Sequence, residues 1–478
     1  MTNSVGTTFT ANGAKTLDKS GSKVLDFYST GAAMRTRSDS DVLKAFLDAF
    51  AEDALLALKT LFYLRDVRGG QGERKVFRTC LKQLASNNPA SFVSNMENVV
   101  KFGRWDDLFV AFDTRSEASM LSFVKTQLGK DSRAKEASKL SLLAKWMPSI
   151  NTSSSETRSL AHKFVKYFGI SSKKYRQTLS KLRAKLNVVE TLMSSDEWST
   201  INFEHVPSKA NLLYKKAFSK HEPTRYTEFI KAVQSGEKKI NASTLFPYEI
   251  VRDADGYGVD KNALDALWQS MPDYLKENPH NGLVLPDVSG SMSGLPIQVS
   301  VSLAIYFAQR SQGFFKNHFL EFSSTSKLVR IDHTNIVDAW NQVRRSTTWC
   351  GSTDLQSAFD AILTAAVKNK VPQKEMPDIL YIISDMQFNS ACTSNSKTNF
   401  EVMKAKYKAA GYRMPVVCFW NVNATSNQSP VSKDENGTIM VSGCSPSIFS
   451  QVVSGKSVTP YEFMLQTLEK ERYSSVVV

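Results

Sequence analysis

Leu283-Val284-Leu285-Pro286-Asp287-Val288-Ser289-Gly290-Ser291 runs from an apolar stretch into a carboxylate and two hydroxyls at alternate positions. A short apolar run closed by a polar turn reads as a buried strand, and the pattern after Pro279 repeats it. Strands are expected at Leu283–Val288, His318–Phe322, Lys327–Ile331, Ile379–Ser384, Pro415–Trp420 and Thr438–Val441. Helices are expected between them at about 297–312, 334–344, 354–368 and 399–409, with 446–453 and 460–471 at the end. Apolar strands alternating with helices imply a parallel sheet covered on both faces, with its ligand site outside the carboxyl ends of the strands. Asp287, Ser289 and Ser291, at i, i+2 and i+4 of a strand-to-helix turn, can converge on one point. They are hard oxygen donors suited to Mg²⁺ or Mn²⁺ rather than to zinc or copper. Two more oxygen donors fall where the same fold presents them: Thr353 in Gly351-Ser352-Thr353-Asp354, and Asp385 at the end of the strand Ile379–Ser384.

Upstream the pattern is helical. Val42, Leu43, Phe46, Leu47, Phe50, Leu55, Leu58, Leu61 and Phe62 recur at helical spacing from Ser40 to Leu64, and Arg68-Gly69-Gly70-Gln71-Gly72 breaks that helix. Further helices are expected at 73–84, 90–101, 105–112, 117–128, 137–146, 156–168, 172–186, 188–195, 208–219 and 223–234. Short polar turns join them, which suggests stacked antiparallel helix pairs, although no clean sequence period accompanies them. Residues 1–23, rich in Ser, Thr, Gly and Asn, are expected to form a mobile arm. The domains read as 1–23 arm, 24–250 basic helical repeat domain, 251–280 linker and 281–478 α/β domain. Of the net charge of +14, residues 1–280 carry +11 (42 Lys and Arg against 31 Asp and Glu) and residues 281–478 carry +3. An acidic partner is therefore worth seeking for the helical part.

Asp287, Ser289, Ser291, Thr353 and Asp385 resemble the D-x-S-x-S…T…D metal-ion-dependent adhesion site of the von Willebrand factor A domain family, in order and on the expected elements. The resemblance implies that the three hydroxyls ligate Mg²⁺ (or Mn²⁺) while the two carboxylates act directly or through water. It also implies that a protein partner offers an acidic residue to the metal. Leu64-Arg65-Asp66-Val67-Arg68-Gly69-Gly70-Gln71-Gly72-Glu73-Arg74 and Lys101-Phe102-Gly103-Arg104-Trp105-Asp106-Asp107-Leu108 resemble signatures of an uncharacterised family that joins a helical domain to a C-terminal A-type domain. Similar segments mark the TROVE module of the Ro ribonucleoprotein family, whose helical repeats hold RNA. The expected fold class is α + α/β: an N-terminal α-helical (HEAT-like) repeat domain followed by a C-terminal Rossmann-like von Willebrand factor A domain with a central, mostly parallel sheet.

Thr157–Val189 holds nine basic residues and no acidic one: Arg158, Lys163, Lys166, Lys173, Lys174, Arg176, Lys181, Arg183 and Lys185, interleaved with Phe164, Tyr167, Phe168 and Tyr175. Such a face can track an RNA backbone, structured or single-stranded; equally, it is two solvated amphipathic helices with aromatic cores. The Arg65–Arg74 turn reads either as an anion loop or as a helix–helix turn fixed by Asp66 and Glu73, the second being preferred. Asp253–Asp260 fails as a calcium loop, with Tyr257 and Leu264 at ligand positions. The six histidines show no paired spacing, no nucleophile–base set is complete and no cofactor fingerprint occurs, so an enzyme is not expected. Five scattered cysteines read as reduced thiols, and neither a signal peptide nor an apolar span of about 18 residues is present. A cytoplasmic protein without a membrane partner is expected. The leading expectation is a Ro-like RNA-associated binding protein. The alternatives are a metal-dependent adaptor, such as a partner of MoxR-type ATPases, or a structural component of a larger particle, in either case without RNA.

Overall fold

The computed structural model describes residues 5–256, 258–276, 279–321, 326–346, 354–388, 399–451 and 458–478. Among them the strands are β1 (Thr7–Phe9), β2 (Lys15–Leu17), β3 (Gly282–Pro286), β4 (His318–Glu321), β5 (Lys327–Arg330), β6 (Ile379–Ser384), β7 (Val416–Asn421) and β8 (Thr438–Ser442). The strands expected after Pro279 are present, with ends shifted by no more than two residues. Strands β3, β6, β7 and β8 form a parallel sheet in that order, buried throughout except at Val416. This is the burial that a doubly covered sheet requires. Strands β4 and β5 pair as an antiparallel hairpin, and β4 lies alongside β3. Across the layer the order is thus β5, β4, β3, β6, β7, β8. The chain leaves β3 to one side and resumes at β6 on the other, so the carboxyl ends of β3 and β6 flank a topological switch point.

Two compact units divide the chain: Met1–Val76 with Ala242–Ser474, and Phe77–Asn241 with Ser475–Val478. The first is the α/β unit. Its core centres on Phe449, whose ring lies 4.9 Å from Tyr381, 5.0 Å from Phe307 and 5.2 Å from Trp420. These side chains come from β6, from helix Leu295–Arg310 and from β7, so the cluster ties the sheet to the helix that follows β3.

This division corrects the sequence reading in three places. The expected mobile arm is, over the described residues 5–23, a hairpin of β1 and β2 joined through Leu17 to Ser429 by a pair of backbone hydrogen bonds of 3.0 and 3.1 Å. Residues 24–76, expected in the helical domain, belong to the α/β unit. Helix Lys23–Thr30 packs on β8 and β7; the Ser442 hydroxyl donates to the Tyr28 carbonyl at 2.9 Å, and the Ala32 N–H donates back to it at 3.2 Å. Third, the expected linker 251–280 carries helix Lys261–Gln269, and helix Pro247–Ala254 enters it. Val251, Leu264, Leu267 and Trp268 are buried, and these helices pack against Leu295–Arg310 and Ile336–Ser346. The helix expected from Ser40 to Leu64 is also two, Asp39–Glu52 and Ala54–Arg65, because the Asp53 carboxylate accepts the Leu56 N–H at 2.8 Å and starts a new helix.

Helix Lys23–Thr30 carries a titratable switch in stability. Asp26 accepts the Ser20 N–H at 2.9 Å. Burial pushes its carboxyl from 3.8 up to about 6 against the pull of that hydrogen bonding, with the charge of Glu52 adding to the rise. The folded state therefore holds the proton more tightly than the unfolded one. Stability from this group is present below about pH 4 and lost as pH rises through about 6. Asp26→Asn is expected to flatten that slope and to stabilise the protein at neutral pH by on the order of 1–2 kcal/mol, measured by urea denaturation across the acid range.

The second unit is helical. Phe109, Phe112, Phe164 and Phe168 form one aromatic cluster, and Phe203, Phe218, Tyr226 and Phe229 another. The Lys101–Leu108 segment braces this unit. Fully buried Asp107 pairs with Arg78 at 2.6 Å, Asp106 pairs with Arg78 at 2.7 Å and Arg104 at 3.0 Å, and the Arg104 guanidinium lies 4.0 Å over Trp146. The last residues of the chain are latched by Asn95 and Asn98, whose amides donate to Val477 and Ser475 carbonyls at 2.6 and 2.7 Å. Asn98→Ala is expected to cost about 1 kcal/mol and to speed amide exchange at Ser475–Val477, read by hydrogen-exchange mass spectrometry.

Candidate functional site

Asp287 follows β3 and Asp385 follows β6, with Pro286 opposite Ile383 in the ladder, so the two carboxylates emerge side by side at the switch point. Asp287 is fully buried; its Oδ1 accepts the Ser289 N–H at 2.9 Å and its Oδ2 the Ser384 hydroxyl at 2.6 Å. Burial pushes its carboxyl up, partly countered by the hydrogen bonds from Ser384 and Ser289, and the neighbouring Asp385 charge pushes it further. Asp385 is 2% exposed; its Oδ1 accepts the Gln387 N–H at 3.1 Å, while its Oδ2 is buried without a hydrogen-bond partner. Ser289 and Ser291 bring their hydroxyl oxygens within 3.2 Å of each other. A Cβ built on Gly290, between them, meets nothing within 4 Å, so the serine turn stands open to approach.

Of the five sequence-predicted residues, Asp287, Ser289, Ser291 and Asp385 are thus on adjoining turns. Thr353 lies outside the described residues; its neighbour Asp354 caps helix Leu355–Asn369, accepting the Gln356 N–H at 2.9 Å. Sequence reasoning missed Ser384, which fixes Asp287 and accepts the Met386 N–H at 3.0 Å, and Gln387, which fixes Asp385. Met386 between them has φ +65°, a left-handed turn that residues other than glycine rarely adopt. The only advance signal was the Ser-Asp pair at the end of an apolar strand. Among the described residues no group of three or more His, Cys, Asp or Glu gathers as a metal cage. The donors here are instead two carboxylates and two hydroxyls. An unsatisfied buried carboxylate oxygen beside a second buried carboxylate is costly by itself, and a hard cation relieves both the repulsion and the lost hydrogen bond. The residues present fit Mg²⁺ or Mn²⁺ on that ground.

The nine basic residues of 158–185 separate into two groups. Arg158 donates to the Thr152 and Ser153 carbonyls, Lys163 pairs with Asp113 at 2.7 Å, Arg183 bonds Ala144, Met147 and Ser149, and Lys185 bonds Ala134. Burial pushes the Arg183 guanidinium down, consistent with a structural post. Lys166, Lys173, Lys174, Arg176 and Lys181 are exposed. Of the interleaved aromatics, Phe164, Phe168 and Tyr175 are buried and Tyr167 is 39% exposed. The Arg65–Arg74 turn is a junction. N–H groups that an anion would need are spent on the preceding helix, Gly70 and Gly72 on Asp66 O, Gln71 on Tyr63 O and Glu73 on Leu64 O. A Cβ at Gly70 would collide with the Tyr63 carbonyl, and Gly72 has φ +62°. Its carboxylates do pair with arginines, but distant ones: Asp66 with Arg472, and Glu73 with Arg35 at 2.9 Å.

Residues 281–474 match a family model described as a domain of unknown function (DUF7788), and residues 10–113 and 151–280 match a second such domain (DUF2828). The chain is also 31% identical over 508 aligned positions to "Uncharacterized protein L728" of Acanthamoeba polyphaga mimivirus, covering 96% of this chain and 87% of that protein. The chain belongs to the L728 family. The match to L728 takes in nearly the whole chain, both units included. Neither family model is described as a von Willebrand factor A domain or a TROVE module. Among the described residues of this L728 family member, no helix is long and apolar enough to cross a membrane.

Proposed function

We propose that the chain is a Ro-like binding protein in which a von Willebrand factor A-type α/β unit captures a carboxylate-bearing protein partner through Mg²⁺, and a HEAT-like helical unit holds RNA. The observation that carries the metal half is the partnerless Asp385 Oδ2, buried near Asp287 at the switch point, on the turn that adjoins the one carrying the Ser289 and Ser291 hydroxyls. Ser289, Ser291 and Asp385 would hold the cation, with Asp287 behind them and Thr353 as the adhesion-site resemblance implies. When bound, Mg²⁺ supplies an exchangeable position that accepts a carboxylate oxygen. The rest belongs to the chain: Ser384 orients Asp287, Gln387 orients Asp385, and the open serine turn leaves room for a partner. Calorimetric titration of the full chain with MgCl₂ or MnCl₂ is expected to show one saturable site. Ser289→Ala is expected to weaken it about tenfold, the loss of one oriented neutral donor. A wild-type chain that takes up neither ion refutes the metal half.

RNA is proposed for the exposed face of Lys166, Lys173, Lys174, Arg176 and Lys181, because these cations are not tied to local carbonyls as Arg158, Arg183 and Lys185 are. Filter binding of a single-stranded RNA is expected to weaken with salt, with a log–log slope of about −3.5 for that many phosphate contacts. Lys173→Ala/Lys174→Ala is expected to lower affinity about tenfold and to make the slope shallower by roughly one to two. A salt-indifferent interaction, or none at low salt, removes RNA. The second reading, a metal-dependent adaptor without RNA, is favoured by the burial of Phe164, Phe168 and Tyr175, which leaves few rings for base stacking.

A further inference from the structure

The N-terminal hairpin, β1, β2 and the turn between them, ends against the loop that carries Asp385. The Thr10 hydroxyl donates to the Phe388 carbonyl at 2.6 Å, the Ala11 N–H to the Gln387 side-chain oxygen at 2.9 Å, and the Asn12 amide to the Gln387 carbonyl at 2.6 Å. Thr10 is itself 5% exposed and its hydroxyl also accepts the Ala14 N–H at 2.9 Å, so the tip is a closed unit. On the far side the Gln387 amide donates to Ser426 at 3.1 Å, and Gln428 donates to the Phe9 carbonyl at 2.6 Å. Gln387 is therefore gripped from both sides through side chain and carbonyl, while its own N–H holds Asp385 Oδ1. Preceding it is the left-handed Met386, a conformation that persists where surrounding contacts impose it.

We infer that the hairpin tip is a strap that positions Asp385: Thr10 and Asn12 act through Gln387 to aim the buried Oδ2 at the Ser289–Ser291 turn, and cation affinity depends on the strap being docked. This inference rests on the proposed metal reading. Its physical basis is that a carboxylate in a left-handed turn keeps one orientation only while the following residue is fixed, and here the fixing bonds come from residues more than 370 positions away in sequence. By linkage, a bound cation tightens the strap by the same factor by which the strap tightens the cation.

The test uses the full chain and three substitutions. Thr10→Val and Asn12→Ala remove the two side-chain donors; Thr10→Ser keeps the hydroxyl. Mn²⁺ and Mg²⁺ affinities are measured by calorimetry at a temperature where circular dichroism shows each variant folded, and protection of Thr8–Ala14 by hydrogen exchange with and without 5 mM Mn²⁺. The expected result is about a tenfold loss of cation affinity in Thr10→Val/Asn12→Ala, comparable with the loss of an outer-shell metal partner. Wild-type affinity is expected to return in Thr10→Ser, and Mn²⁺ to slow exchange in the hairpin of the wild type. A purely structural hairpin would lower thermal stability and leave affinity unchanged; that result overturns the inference while the metal reading stands. A wild-type chain with no cation uptake overturns both, and is told apart by the wild-type titration alone.

Discussion

Asp385→Ala is expected to abolish measurable Mg²⁺ and Mn²⁺ uptake, a loss of more than about 100-fold, and at the same time to leave the cation-free protein at least as stable as the wild type. The two halves of this expectation come from the same atom. Asp385 Oδ2 is buried with no hydrogen-bond partner, beside an Asp287 whose carboxyl is already pushed up by burial and by the Asp385 charge. Removing the side chain relieves an unsatisfied buried oxygen, worth about 1–3 kcal/mol, at the expense of a small cavity and the bond from Gln387. A residue kept only for packing behaves the opposite way: its removal lowers stability with or without cation. Thermal denaturation of wild type and variant, each with and without saturating Mg²⁺, separates the cases. The wild type is expected to gain stability with Mg²⁺ by mass action and the variant to gain none. A variant destabilised equally in both conditions would return Asp385 to the core.

The expectations at this site rested on a local pattern, and its legibility has a physical limit. Asp287, Ser289 and Ser291 alternate within five residues, and Asp385 directly follows an apolar strand, so both turns were visible from patterning alone. The bonds that hold them were not. Ser384 is one hydroxyl at a strand end, and Thr10 and Asn12 sit in a Ser/Thr/Gly/Asn-rich segment whose composition argues for mobility; only tertiary contacts reveal that it is docked. The same reason explains the misplaced boundaries. Val24, Leu25, Phe27 and Tyr28 announce a buried helix face, but not which partner they bury against, and β8 lies some 410 residues later. The Asp253–Asp260 segment looks like a linker by its Asp and Gly content, which obscured the periodic Leu264, Leu267 and Trp268 just beyond it. On the helical side, the nine cations spread over residues 158–185 looked alike until Arg158, Arg183 and Lys185 were found bonded to nearby carbonyls.

Asp66→Ala is expected to lower the stability of the α/β unit by about 3–5 kcal/mol, visible as a lower urea midpoint. Asp66 ends helix Ala54–Arg65 and is fully buried. Its carboxylate accepts the Arg472 guanidinium through both oxygens, the Tyr473 hydroxyl at 3.1 Å and the Arg68 N–H at 3.0 Å. Arg472 is 37% exposed, so solvent screening limits what the ion pair alone contributes. The larger cost lies with the Tyr473 hydroxyl, which burial and the Asp66 charge together hold well above its usual range. Without the carboxylate that hydroxyl keeps its burial and loses the strongest acceptor it faces. Arg472→Ala leaves the buried Asp66 carboxylate with only the Tyr473 hydroxyl and the Arg68 N–H, so it too is expected to cost about 3–5 kcal/mol. Asp66→Asn, which keeps a carbonyl acceptor for Tyr473 and carries no charge, separates the two sources. A loss in Asp66→Asn well below that in Asp66→Ala assigns the stability to the buried acceptor; equal losses in the two would assign it to the ion pair instead.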